Sequence, residues 1–192
     1  SDVYKRQSQK LSRAEFTTIF YRMAQTPKVT FEARFPDVKE GEFYTSAVMW
    51  ASEHKIVNGY GNTGLYEPGR SISREELSVM LRRYAAYSGQ DVTAAVDLSS
   101  YPDGDSVSEF AKEGMSWAVA NRIILGAEGQ LLKPQDRANR AECAAIIHRY
   151  TITEKQPVVT GASAIYDGKQ AAPIIIDAAY TNNSADAHAG RT

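Results

Sequence analysis

One tetrapeptide constrains this chain more than any other feature, because it occurs three times. Ser12-Arg13-Ala14-Glu15, Ser73-Arg74-Glu75-Glu76 and Asn139-Arg140-Ala141-Glu142 each place a capping oxygen three residues before a glutamate. That spacing is a capping box: the first side chain accepts from the backbone N–H three residues on, and the glutamate reaches back to the cap's own N–H. Ser12 with Glu15, Ser73 with Glu76 and Asn139 with Glu142 are therefore read as structural caps. Each opens an apolar pattern at helical spacing that ends in Arg plus an aromatic or Met. The Arg at the first helical position is out of place, since a helix N-terminus carries partial positive charge and favours acids. Three such exceptions point to an anion held by guanidinium and free N–H groups together. The competing explanation is an ion pair with a neighbouring carboxylate, and spacing alone leaves both open.

Around the boxes a longer unit recurs. Phe35-Pro36-Asp37-Val38 is extended, because the residue before proline is driven out of the helical region. A helix from about Phe43 to His54 follows, with Tyr44, Ala47, Val48, Trp50 and Ala51 as its apolar stripe. Ile56 to Gly64 is a glycine-rich turn region. Leu65 to Arg70 is a short extended piece, and the capped helix after Ser73 places Leu77, Met80, Leu81 and Tyr84 on one side. The same order returns in Tyr101-Pro102-Asp103, Trp117-Ala118, Ile123-Ile124-Leu125-Gly126, Leu131-Leu132-Lys133-Pro134 and Arg140. Before Ser12 nothing matches the first half of the unit. Residues 1–26 are thus expected to be the end of a truncated first repeat, with 27–87 and 88–152 complete repeats. Ser1 to Gln7 fits no pattern and reads as a fragment edge or a foreign scar.

Several function classes are disfavoured. Lys+Arg 22 against Asp+Glu 23 leaves net charge −1, without the basic field of a nucleic-acid binder. No apolar run is long enough to span a bilayer, and the N-terminus lacks signal-peptide order, so either the chain is cytoplasmic or its export signal lies outside this stretch. His54, His148 and His188 have no ligand-spaced partners, and no metal is expected. Asp103-Gly104-Asp105-Ser106 looks like a calcium loop but has Gly114 where the twelfth-position glutamate would stand, so a turn is expected. The loop Gly59 to Gly64 lacks the Lys-Ser/Thr of a nucleotide cradle. A glycosidase needs two carboxylates across a cleft, and Glu15, Glu76 and Glu142 are taken up in caps. The expectation is a chain with no catalytic residue and no cofactor. Trp50 and Trp117 read as core, and Cys143 as a small buried hydrophobe.

After Tyr150 the pattern changes. Pro157 to Thr160, Ala164 to Lys169 and Ala172 to Asp177 read as strands, with Asp167-Gly168 a hairpin turn. Residues 153–192 are expected to be a linker and the beginning of a truncated β module.

The order Phe-x-Asp-Val, Trp-Ala, Ile-x-x-Gly, a glycine loop, a hydrophobic-aromatic-x-Pro and Ile-Ser-Arg-Glu-Glu closely resembles the S-layer homology domain. Residues 35–84 carry one full match, 101–150 another, and 11–23 only the end of one. The resemblance implies a mainly α fold of helical repeats in a pseudo-threefold prism around a central helix bundle, followed here by a short β segment. The tail's Tyr-Asp-Gly-Lys resembles the start of a bacterial immunoglobulin-like module. The family resemblance further implies non-covalent anchoring of an exported, extracellular protein to the bacterial cell wall or S-layer, by secondary cell-wall polysaccharide bound between repeats. That polymer is anionic and often pyruvylated. By the resemblance Arg13, Arg74 and Arg140 are ligand contacts, with Gly59, Gly61 and Gly126 letting the glycan approach the backbone and Tyr60 and Asn62 lining that approach. Self-association could complete the prism. Membrane insertion and nucleic acid are not expected. Two alternatives stay open: a helical-repeat scaffold that binds protein, and the anchor region of a cell-surface glycan hydrolase.

Overall fold

The computed structural model describes residues 8–154. Expectations for 1–7 and for the β segment and immunoglobulin-like start after Glu154 lie outside the described residues. The fold is mainly helical, with α1 Arg13–Met23, α2 Thr45–Glu53, α3 Arg74–Tyr87, α4 Lys112–Ala120 and α5 Arg140–Glu154 joined by short 3₁₀ turns and extended pieces.

Sequence and local structure agree most closely at the starts of α1, α3 and α5. The Ser12 and Ser73 hydroxyls accept from Glu15 N and Glu76 N at 3.2 Å, and the two glutamates accept from the cap N–H groups at 2.8 Å. Asn139 Oδ1 accepts from Glu142 N at 2.9 Å and Asn139 N donates to Glu142 Oε2 at 2.8 Å. The helix α2 begins at Thr45 rather than near Phe43. The Thr45 hydroxyl donates to Lys39 O and accepts from Glu42 N, which ties residues 39–44 into a turn instead of a helical start. At the other end α5 runs through Glu154, beyond the repeat boundary drawn at residue 152.

What places the three capped helices about one centre is a ring of backbone hydrogen bonds. Leu11 N donates to Ala138 O, Ala138 N to Ile72 O, and Ile72 N to Leu11 O, at 2.9–3.0 Å. These residues precede the three boxes at the same offset, so each copy donates to one neighbour and accepts from the other. A second ring follows: Arg13 N to Arg70 O, Arg74 N to Asp136 O, and Arg140 N to Gln9 O, again 2.9–3.0 Å. Phe20, Tyr84 and Tyr150 meet where these helices converge, with ring centres 4.7 Å apart for the first pair and 6.0 Å for the second.

The Pro-Asp pairs hold the outer parts. The Asp37 carboxylate accepts from Tyr66 N and Glu67 N, and Asp103 from Leu132 N and Lys133 N, at 2.7–2.9 Å. Glu67 and Lys133 sit at φ 57° and 49°, a left-handed conformation costly for a residue with a Cβ. Charge-assisted bonds to the adjacent amides keep it in place. The helices pack in pairs, α1 on α2 and α3 on α4. Trp50 and Trp117, at equivalent places in α2 and α4, are fully buried, as is Cys143, whose thiol burial pushes up to about 12.

Candidate functional site

The two Arg side chains that start α1 and α3 turn inward. Arg13 is 5% exposed, with Nε donating to Tyr66 O and Nη2 to Asn58 O, both at 3.0 Å. Arg74 is 9% exposed and repeats the arrangement one copy later, with Nε to Leu132 O at 2.8 Å and Nη2 to Leu125 O at 3.1 Å. Each guanidinium thus bolts one repeat to the glycine loop and extended piece of the next. The helix N-termini are equally engaged: besides the Arg N–H groups, Ala14 N donates to Pro68 O and Glu75 N to Pro134 O. The free N–H groups that the sequence suggested for an anion are used within the fold at α1 and α3. Arg140 is different again, half exposed and paired through Nη1 with Glu15 Oε1 at 2.8 Å.

The glycine loop of the middle copy forms one wall of a groove of about 550 Å³ that draws on all three copies. Gly59, Tyr60 and Gly61 line it, with Arg13 beneath, Arg70 beside, Arg83 and Met80 from α3, and Phe110, Gln135 and Arg137 from the third copy. A side chain on Gly59 would bring its Cβ within 3.1 Å of Leu65 O, so the loop would have to give by a few tenths of an ångström to admit one. Asn62 lies in the same loop, in the 3₁₀ turn Gly61–Thr63. Gly126 stands in the corresponding loop of the third copy and does not line this groove; neither do Arg74 and Arg140.

Tyr60 is held as the filling of a cationic sandwich. Its ring centre lies 4.2 Å from the Arg13 guanidinium carbon and 4.3 Å from that of Arg70, and its hydroxyl donates to Glu76 Oε1. Burial, then the bond to Glu76, raises the phenol well above its ordinary range. Glu76 is pulled the other way: burial would raise it, but the Tyr60 hydroxyl, the Ser73 amide, Arg13 and Arg70 outweigh that and leave its carboxyl below the usual value. Glu75, next to Arg74 along the chain, accepts from Ser108 N and Oγ at 3.0 Å and from Gln135 Nε2 at 3.3 Å. It fastens α3 to the third copy.

Two groove residues were not singled out from the sequence. Phe110 is 62% exposed, and Phe43, its counterpart one repeat earlier, is 69% exposed. Arg83 belongs to the pair of Arg plus an aromatic or Met that recurs in the three capped helices. In both cases the signal was recurrence at a fixed place in the unit, outside the capping box.

The geometry defines a class first: a helical repeat module whose copies are closed about one centre, with a polar groove at their junction. The S-layer homology domain family matches at residues 34–78 and 100–144, and the chain is an S-layer homology domain protein. It is 31% identical to an amylopullulanase of Thermoanaerobacterium thermosulfurigenes over 145 residues, 76% of this chain and 8% of that protein. It is 32% identical to exoglucanase XynX of Acetivibrio thermocellus, over 81% of this chain and 14% of the relative. A surface-layer 125 kDa protein of Lysinibacillus sphaericus is 29% identical over 72% of this chain and 12% of its own length. The chain thus spans a small fraction of these relatives. A protein of this family is extracellular, at the cell surface. Among the described residues no helix is long and apolar enough to cross a membrane.

Proposed function

We propose that the chain anchors the protein that carries it to the bacterial envelope, without catalysis, by binding an anionic secondary cell-wall polysaccharide in the groove around Tyr60. The observation that carries this reading is the groove's charge and shape. Four guanidiniums (Arg13, Arg70, Arg83, Arg137) face two carboxylates (Glu75, Glu76), so the lining is two charges positive, beside backbone left bare at Gly59 and Gly61. Exposed Phe110 offers a flat apolar face to a sugar ring. A ketal-linked pyruvate on the polymer would supply the negative charge. Among relatives, an amylopullulanase and an exoglucanase favour a glycan hydrolase as the anchored cargo.

The test is co-sedimentation of the chain with purified walls that keep their secondary polysaccharide and with walls stripped of it. The chain pellets with the first and stays in solution with the second. Phe110→Ala lowers the pelleted fraction severalfold with an unchanged melting temperature, since the side chain is mostly solvated. Arg140→Ala, outside the groove, leaves pelleting near wild type. Equal pelleting with both wall preparations sinks the proposal.

A further inference from the structure

We infer that Arg83 is the group that receives the carboxylate of that polymer, making it the residue that selects an acidic glycan over a neutral one. The inference rests on the groove being the glycan site. It follows from tracing where each charge in the groove is already spent. Arg13 gives Nε and Nη2 to carbonyls and has Tyr60 and Tyr66 over its guanidinium, at 4.2 and 4.8 Å. Arg70 pairs with Glu67 at 3.0 Å and Glu76 at 3.6 Å. Arg137 Nη1 donates to Ser71 O at 2.8 Å and meets Glu76 Oε2 at 3.4 Å. Glu76 is occupied by those two arginines, the Ser73 amide and the Tyr60 hydroxyl, while Glu75 is occupied by Ser108 and Gln135.

Arg83 is the exception. Among the described residues it pairs with no carboxylate; its Nη1 lies 3.3 Å from the side-chain amide of Asn58, oriented so that the amide oxygen accepts. It is half buried, and burial, then the charges of Arg13 and Arg82, weaken its hold on its proton. A guanidinium surrounded by like charge and partly stripped of water is stabilised by any anion that reaches it. A carboxylate suits its planar fork. The other repeated helices do not offer this. Arg149 donates to Ile123 O at 3.2 Å, and Arg22 lies exposed on the surface rather than in the groove.

The experiment measures equilibrium binding of purified wall polysaccharide to the full chain, with the polymer's carboxyls intact and after their chemical reduction to alcohols. Wild type binds the intact polymer roughly tenfold or more tightly than the reduced one, the value of a charge-assisted bond. Arg83→Gln removes that preference by lowering affinity for the intact polymer alone, and Arg83→Lys, which keeps the charge without the fork, retains part of it. The inference is overturned if Arg83→Gln keeps the wild-type preference, or loses affinity for both polymers equally while its melting temperature holds. Should wild type bind neither polymer, the glycan reading itself fails. Wild-type binding to both with no preference leaves that reading standing and overturns only the role of Arg83.

Discussion

The two glycine loops share their closing hydrogen bond and their Arg contacts but differ in length and in most side chains. Tyr60 N donates to Leu65 O and Ala127 N to Leu131 O, both at 2.8 Å, and Arg13 and Arg74 bond the same pair of carbonyls on either loop. Yet the first loop carries Asn58 and Tyr60 where the second has Leu125 and Ala127, and Arg70 corresponds to Asp136. One junction therefore holds a stacked Tyr60 between two guanidiniums, while the other leaves Leu125 exposed and, among the described residues, has no ring over Arg74. The comparison separates two tasks. Glycine, carbonyl and motif Arg build the joint, and three or four variable side chains decide whether the joint is also a charged groove.

The helix pairs allow that separation to be tested at the scaffold level, where the largest effect is expected. Gly114 of α4 sits where α2 has Ala47, and a Cβ at Gly114 would fall 2.9 Å from Val79 Cα and N. Gly114→Ala forces α4 off α3 and is expected to cost about 2 kcal/mol or more by the usual penalty of overpacking. Urea denaturation measures it; a cost under a few tenths would mean the two pairs are not held to different spacings.

A smaller effect compares the joints themselves. Arg74→Met keeps an apolar stem but frees two carbonyls, for an expected loss of about 2 kcal/mol. Arg13→Met does the same and also abolishes the cation–π stack, so it should cost about 1 kcal/mol more. Equal losses in chemical denaturation would show that the Tyr60 sandwich contributes nothing to stability.

The smallest effect is the share of the acid response that Glu76 of the middle copy carries. The folded-state pKa of Glu76 is lowered, so its contribution is full above the ordinary carboxylate value of 4.5 and is lost as pH falls through the folded value. Melting temperature followed from pH 7 to 3 should therefore drop less steeply for Glu76→Gln than for wild type. Parallel curves would remove Glu76 from the acid response.

Much of the scaffold was legible because it is local. The capping boxes, the proline-led extended pieces and the apolar stripes of α2 and α3 are set by residues three or four apart, and so is the burial of Trp50 and Trp117. The start of α2 was misplaced by two residues because Thr45 bonds Lys39 O, a turn whose partners carry no strong sequence signal. The groove was only half legible: Gly59, Gly61 and Tyr60 stood out, while Phe110 and Arg83 are 50 and 23 residues from Tyr60 along the chain and meet it only in space.

By itself the sequence determined that a capped helix would recur, where each of those helices would start, and which apolar side chains would form their buried stripes, since capping and periodicity act within a turn or two of backbone. Only the tertiary structure decided what the three arginines of the boxes do. The ring through Leu11, Ile72 and Ala138 brings Arg13 and Arg74 against carbonyls of a neighbouring copy, and those buried oxygens must be paired. Arg140 meets Glu15 instead. An Arg that looked misplaced against its own helix dipole is, at two of its three positions, the bolt between repeats.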